Sequence, residues 1–585
     1  MQLSSAWGEL KCVRHARGQC KATASPSIYR RALPSLCRAA VQNEDSPQAG
    51  HPSPQASHAP YDRVLRSLSN KSTSSIEDEL FGCPQTTTAD RGQTADAKRC
   101  STRVKACRSW YELRTELAAV ERAGVMNPKL LAIIFSCMPK ILQGRSSEQE
   151  RAEVAAAAAA LAETHLDQLM DCMDGQGLVN VAVGLAKLGH TQPQVFHKLA
   201  SSSVQHIRAG HMSAQGLSNL LWALATAGVR PAGSWLSELW VQLEEHMQEE
   251  QLGSLQPGEL SLQDLANVSW ACCRLEVLPP WVSGSMPGFL PTLLRGVERA
   301  GSNLSGGDVA TILTTMAIWS RTFSYKPSET MLAKLLALCQ PHLAQFLPQD
   351  LVSIVHSLVV MNAPPSRPWM SSYYLVLRDR LIFDPTLSYS DFQRLLWALS
   401  RIDHVPSQAW LKQFVEVSRV KLRHLRFRAL SELIWALSCW GYTPSSEWLH
   451  EYYRVTLPKL KDDYKCHHLA NSVLALKKLG AQVPTEWLDA ALSSFCDQLN
   501  EAKAHDLVVF IDGMVDCDNA EWMARGSTGK RLLMLANHGA SKFDLCVPVQ
   551  FAKLLVALAT ASVLSKSSPV RPKQERHTRG SESLN

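Results

Sequence analysis

No apolar run in this chain of 585 residues approaches the roughly 18–20 that a helix needs to cross a membrane. Ala155–Ala160 favours a helix but is too short and too weak to span one. The sixteen cysteines include no CxxC pair; Cys272-Cys273 and the others read as small apolar residues of a reducing compartment. His467-His468 has no HExxH context, and Asp512, Asp516 and Asp518 lack the pattern of a calcium loop. Gly526-Ser527-Thr528-Gly529-Lys530-Arg531 resembles a phosphate loop, but Ala524 replaces its first glycine and Arg531 stands where Ser or Thr is required. It reads as a turn. No Ser/His/Asp set or carboxylate pair can be argued from spacing. The expectation is a chain with no catalytic residues, no metal and no cofactor.

Charge of one sign is also scarce beyond the start of the chain. The formal net charge is +7. Residues 1–42 hold Lys11, Arg14, Arg17, Lys21, Arg30, Arg31 and Arg38 against Glu9, which is seven minus one, or +6. Residues 43–585 are left with about +1, so a broad basic footprint for nucleic acid is absent there. The leader is basic, acid-poor, rich in Ser and Ala and without a long apolar stretch. It reads as an organelle transit peptide, the other reading being a basic disordered tail. Residues 43–103, rich in Ser, Pro, Gln, Thr and Ala, read as a disordered linker, and 564–585 as a disordered polar tail. Arg419, Lys421, Arg423, Arg426 and Arg428 crowd five cations into ten residues. They suit either phosphate contact or a solvated helix face.

What is abundant is tryptophan at a fixed period. Trp235, Trp281, Trp369, Trp410, Trp448, Trp487 and Trp522 recur after apolar runs, with gaps of 41, 38, 39 and 35 residues from Trp369 onward. Phe196 and Met331 fill the missing slots. Thirteen residues earlier stands a second periodic position: Trp222, Trp397 and Trp435 inside Leu-Leu-Trp-Ala-Leu-like runs, with His356, Leu474, Val183 and Val509 in weaker copies. Trp270 fills it in a copy two residues shorter; the 305–331 copy carries a few extra residues. Such self-similarity marks a solenoid, in which each repeat packs on its neighbours.

Two helices per repeat follow. Leu217, Leu220, Leu221 and Leu224 have the spacing of one apolar helical face. Ser213, Ser261, Ser305 and Ser388, each nine residues before the first slot, are the expected N-caps; the last three read Ser-x-x-Asp, close to a capping box. Glycine and proline end the helix, and the second tryptophan opens the next one, as in Trp235–Glu250 or Trp487–Leu499. The tryptophans read as inter-repeat packing. The predicted fold is an all-α, right-handed superhelical solenoid of helical hairpins about 38 residues long over 104–563, clearest over 178–525.

Pro444-Ser445-Ser446-Glu447-Trp448, Pro484-Thr485-Glu486-Trp487, Pro364-Pro365-Ser366-Arg367-Pro368-Trp369 and Asn519-Ala520-Glu521-Trp522, with the preceding Leu-Leu-Trp-Ala-Leu runs, resemble the octotricopeptide repeat. That resemblance implies an organelle-imported factor, of the chloroplast or else the mitochondrion. It also implies that the factor binds particular organelle transcripts and acts on their stability, processing or translation. Single-stranded organelle RNA is the implied partner, with other proteins of a ribonucleoprotein complex beside it.

Helical-repeat RNA binders read about one base per repeat from one helix face. Three residues before the first slot stand Asn180, Asn219, Asn267, Thr311, Ser353, Arg394, Glu432, Asn471 and Asp506, all polar and none lysine. Offsets −7 and +4 share that face. They carry Gln176, Gln215, Gln263 and Arg428 on one side, and Lys187, Arg274, Arg401, Lys478 and Gly513 on the other. Short polar groups suit base edges; Lys187, Arg274, Arg401, Arg428 and Lys478 suit phosphate. The other reading is that the column is only the exposed side of each first helix. The competing function is a protein-binding scaffold, since solenoids also hold peptides; the near-neutral array favours it and the polar column opposes it.

Overall fold

The computed structural model describes residues 88–515 apart from 143–145, 252–259, 285, 287, 381–387 and 462–463, with scattered residues between 522 and 538. The leader, the linker up to residue 87, residues 539–563 and the polar tail lie outside the described residues, as do Asp516 and Asp518. The Gly526–Arg531 turn is described only in part.

The described residues form an all-α solenoid with no strand among them. The chain runs through α1 (Thr88–Ala106), α2 (Trp110–Ala123), α3 (Pro128–Ile141), α4 (Glu148–Leu161), α5 (Gly175–Lys187), α6 (Pro193–Arg208), α7 (Ala214–Thr226) and α8 (Gly233–Gln251). It continues with α9 (Leu262–Arg274), α10 (Pro280–Ser283), α11 (Phe289–Ala300), α12 (Gly306–Phe323), α13 (Glu329–Cys339), α14 (Pro348–Val360) and α15 (Arg367–Arg380). Then follow α16 (Tyr389–Leu399), α17 (Gln408–Lys421), α18 (Phe427–Cys439), α19 (Ser446–Thr456), α20 (Cys466–Lys478), α21 (Thr485–Asp497) and α22 (Ala504–Val515).

The helices sort into two layers. The first helices of the pairs pack side by side in order: α1 on α3, then α5, α7, α9, α12, α14, α16, α18, α20 and α22. The second helices, among them α6, α8, α11 and α13 and later α15, α17 and α19, make a looser parallel series. The predicted caps are in place: Ser213, Ser261, Ser305 and Ser388 each accept a backbone N–H three residues on, and Ser261 with Asp264 closes a full capping box. The extra residues of the 305–331 copy lengthen α12 to 18 residues, where α7 and α9 have 13.

One expectation is corrected at the front. Thr88–Ala106 is helical, so the last part of the supposed linker, 88–103, belongs to the array. Its Ala, Lys, Arg and Gln favour a helix, and Ala97 and Val104 bury their side chains in the shared core. It was not legible because this helix has no tryptophan slot.

The second-slot tryptophans tie the second layer together. Trp235, Trp369, Trp448, Trp487 and Trp522 are at most 2% exposed. Their indole N–H groups reach back to the preceding repeat: Trp235 donates to Ser203 Oγ (2.9 Å), Trp448 to Ser418 Oγ (3.1 Å) and Trp487 to Thr456 Oγ1 (2.9 Å). Trp369 donates to the Leu336 carbonyl (3.0 Å) and Trp522 to Asp489 Oδ1 (2.8 Å). A buried indole needs such a partner, which these five find 30–33 residues back, whereas the buried indole N–H groups of Trp281 and Trp410 have none. In the first layer glycine permits close approach: a Cβ on Gly184 would stand 2.4 Å from the Phe135 carbonyl oxygen, and one on Gly513 2.9 Å from the Leu474 nitrogen.

Candidate nucleic-acid interface

Each first helix from α5 to α22 buries apolar residues on two sides and leaves one stripe of mixed exposure, from exposed Gln215, Arg274 and Lys478 to buried Asn267 and Gly513. The stripe holds the offsets −7, −3 and +4, and also offset 0, the first slot itself. Asn180, Asn219, Thr311, Ser353, Arg394, Glu432, Asn471 and Asp506 are all half-buried, neither closed off nor fully solvated. Because the first helices stack in order, these side chains form one continuous row, one position per repeat. Stacking of the first helices in order sets the column's positions on successive neighbouring helices, with Asn267 buried among them.

Some members are engaged with each other. Asn267 is buried, 4% exposed, and its Nδ2 donates to Asn219 Oδ1 at 3.4 Å. Gln176 Nε2 donates to Asn180 Oδ1 at 3.1 Å. Glu432 stands 3.6 Å from Arg401, whose guanidinium lies 4.4 Å over the Trp397 ring and donates to the Trp397 carbonyl. Lys478 sits 4.5 Å over the Trp435 ring. Gly513 is packed against Val473 and Leu474 and presents no reading group.

The first-slot tryptophans pack against the core as expected but are more open than those of the second slot. Trp222 is buried, but Trp270, Trp397 and Trp435 are only half-buried, and so is His356. Trp222 and Trp270 are 6.4 Å apart, and His356 and Trp397 5.0 Å. Four of the nine first-slot positions, Trp270, His356, Trp397 and Trp435, thus carry a half-buried ring, two of them covered by Arg401 and Lys478. The signal was present in the sequence, since offset 0 completes the one-face series −7, −3, +4. The resemblance between the two tryptophan slots concealed it.

Ion pairs between repeats occur on both layers: on the first, Arg401 pairs with Glu432 and Lys477 with Asp512. On the second layer, cations are matched with acids one repeat away: Lys198 with Asp167, Arg208 with Glu238, Lys334 with Glu298, Arg419 with Glu447 and Arg423 with Glu451. Two of the five crowded cations, Arg419 and Arg423, are thereby assigned to ion pairs on that face. At the four stripe offsets of the nine helices from α5 to α22 stand Lys187, Arg274, Arg394, Arg401, Arg428 and Lys478 against Glu432 and Asp506, six minus two. The stripe is positive although the chain beyond the leader is nearly neutral.

The titrating groups record how sheltered the stripe is. Burial, with Lys140 nearby, pushes the Lys187 ammonium down to about 8, still cationic at neutral pH. Burial lowers His356 to about 4, and Arg394, Arg321 and Arg401 add to that. Burial raises the Glu432 carboxyl while Arg401 pulls it back. His467 is lowered by burial, Asp506 opposing and Arg428, Lys465 and Lys503 assisting. A cavity of about 260 Å³ lies beside it, lined by Lys465, Cys466, His467, Glu501, Lys503 and Asp506. No group of three or more His, Cys, Asp or Glu able to hold a metal, and no helix able to span a membrane, occurs among the described residues.

Comparison with known proteins places the similarity on this part of the array. Residues 293–493, α11 to α21, match the family model of the Tbc2 translation factor, N-terminal domain. The chain is 29% identical over 221 residues to the chloroplastic Tbc2 translation factor of Chlamydomonas reinhardtii, a match covering 36% of this chain. That match spans only 18% of the relative's length. The relative is a chloroplast protein, in agreement with the destination that the repeat resemblance implies. Among solved structures, a homology model of the full-length AP-3 complex in an intermediate open conformation aligns over 82% of this chain and 90% of that one. Its identity is 10% and its TM-score 0.26, too low to carry any argument.

Proposed function

We propose that this protein is a non-enzymatic, sequence-selective RNA-binding factor of the chloroplast, built of octotricopeptide-like repeats, that governs translation or stability of an organelle transcript. The single observation that carries the reading is the stripe. One polar side chain per repeat stands in register with half-open aromatic faces and a surplus of cations. Single-stranded RNA is recognised by stacking of unpaired bases, by hydrogen bonds to their edges, and by neutralisation of phosphate, and the stripe offers a group for each. Asn180, Asn219, Ser353 and Asn471 are suited to base edges; Trp270, Trp397, Trp435 and His356 to base faces; Lys187, Arg274, Arg428 and Lys478 to phosphate. Similarity to a translation factor domain over α11–α21 supports the same class. By covering a short stretch of transcript the array would exclude exonucleases or keep a start site unpaired.

Crosslinking in isolated organelles followed by sequencing of the bound RNA tests this. One or a few transcripts with a single short footprint are expected. Recovery of proteins without any enriched transcript would overturn the reading and favour the scaffold alternative.

A further inference from the structure

We propose that Glu432, between Trp397 and Trp435, is a specificity-determining residue that selects guanine at one position of the bound RNA. The proposal rests on the RNA reading above and deepens it. Among the nine −3 positions, Glu432 is one of two carboxylates, the other being Asp506. Its side chain is 16% exposed, and its Oε2 is buried without a hydrogen-bond partner, Arg401 Nη1 standing at 3.6 Å. The 3.6 Å ion pair is too long for a hydrogen bond, so a base that displaces Arg401 would bring this oxygen the N–H donors it lacks.

The surroundings suit a flat ring. Two half-open indoles flank the carboxylate along the stripe: Trp397 on α16, reached through Arg401, and Trp435 nearly one turn further along α18. Each face is covered by a cation, Arg401 at 4.4 Å and Lys478 at 4.5 Å. Cation–ring contacts at exposed positions are weak; for a base to stack on Trp397, Arg401 must also give up the Trp397 carbonyl (2.9 Å), Ser400 Oγ (3.1 Å) and Glu432, contacts that a phosphate can replace. A base can take their place on the rings, since base–aromatic stacking is the stronger contact.

The chemistry of the edges chooses the base. An ionised carboxylate only accepts. Guanine's Watson–Crick edge places two donors, N1–H and the N2 amino group, side by side, matching two carboxylate oxygens. Adenine and cytosine each set their amino donor next to a ring nitrogen acceptor, and uracil holds its N3–H between two carbonyls. In all three an acceptor faces an acceptor.

The test is selection from a randomised single-stranded RNA pool by the full chain, wild type against Glu432→Gln. That change keeps size but swaps one acceptor for a donor, and thermal melting confirms that both forms fold. Wild type is expected to enrich a motif with guanine at one position. Glu432→Gln should lose that preference by about tenfold or more, as for a lost bidentate base contact, and leave the rest of the motif unchanged. A wild-type motif that Glu432→Gln reproduces, guanine included, overturns the guanine seat while the RNA reading stands. A motif without guanine at any position that the substitution alters overturns it equally. No enrichment by wild type overturns the RNA reading and the seat with it.

Discussion

The two tryptophan slots look alike in sequence and differ in the fold, and single substitutions separate them. Trp448 is 1% exposed and bonded to Ser418, so Trp448→Ala should cost about 3–5 kcal/mol, a large-to-small core change. Trp435 is half-buried, so Trp435→Ala should cost less, about 1–2 kcal/mol. Its larger effect should fall on RNA affinity. Chemical denaturation of both variants checks this, and equal losses would contradict the assignment. Histidine provides a second test at this scale. Burial holds His356 near 4 and His468 near 3, below the ordinary 6.5. The unfolded chain protonates both first, so it binds more protons and stability rises with pH through that window. Their contribution is complete above about 6.5 and is lost progressively on acidification toward 4. The variant His356→Gln, His468→Gln should show a flatter dependence of melting temperature on pH than wild type between 6.5 and 4.5. An unchanged slope would mean that these rings do not stay neutral in the fold.

At the level of helices, the packing of first helix on first helix depends on small residues at the crossings. Gly184 leaves no room for a Cβ beside the Phe135 carbonyl. Gly184→Ala should therefore spread α3 from α5 and cost about 1–3 kcal/mol, as overpacking does. Melting of the variant measures it, and a neutral result would place the helices further apart than described. Much at this scale was legible in the sequence. Serines nine residues before the slot mark true N-caps, and prolines just ahead of the second-slot tryptophans, as at Pro444 and Pro484, mark the second helices, because capping and helix entry are local. What was not legible depends on neighbours far along the chain. The exposure of Trp270, Trp397 and Trp435 is set by the next repeat. The burial of Asn267 depends on Asn219, 48 residues away. The pairing of Arg401 with Glu432 depends on α16 packing against α18. The helix α1 was missed for a different reason: it joins the first layer without a repeat signature of its own.

For the whole molecule, the stacking of one helix per repeat turns a period in sequence into a row in space, and the distribution of charge gives that row its direction of use. Acids one repeat away pair with cations on both layers, and the stripe still carries six cations against two acids, with Arg394 and Arg401 among the paired ones. Net charge alone concealed this, because a sum over the chain erases a difference between two faces. The measurement that tests the central claim most directly is photocrosslinking of the purified protein to a single-stranded RNA pool, with crosslinked peptides located by mass spectrometry. The account predicts adducts in the first helices α5 to α22, concentrated at the stripe residues Trp270, Trp397 and Trp435 and their polar neighbours. Adducts confined to the second helices, or none at all, would contradict it.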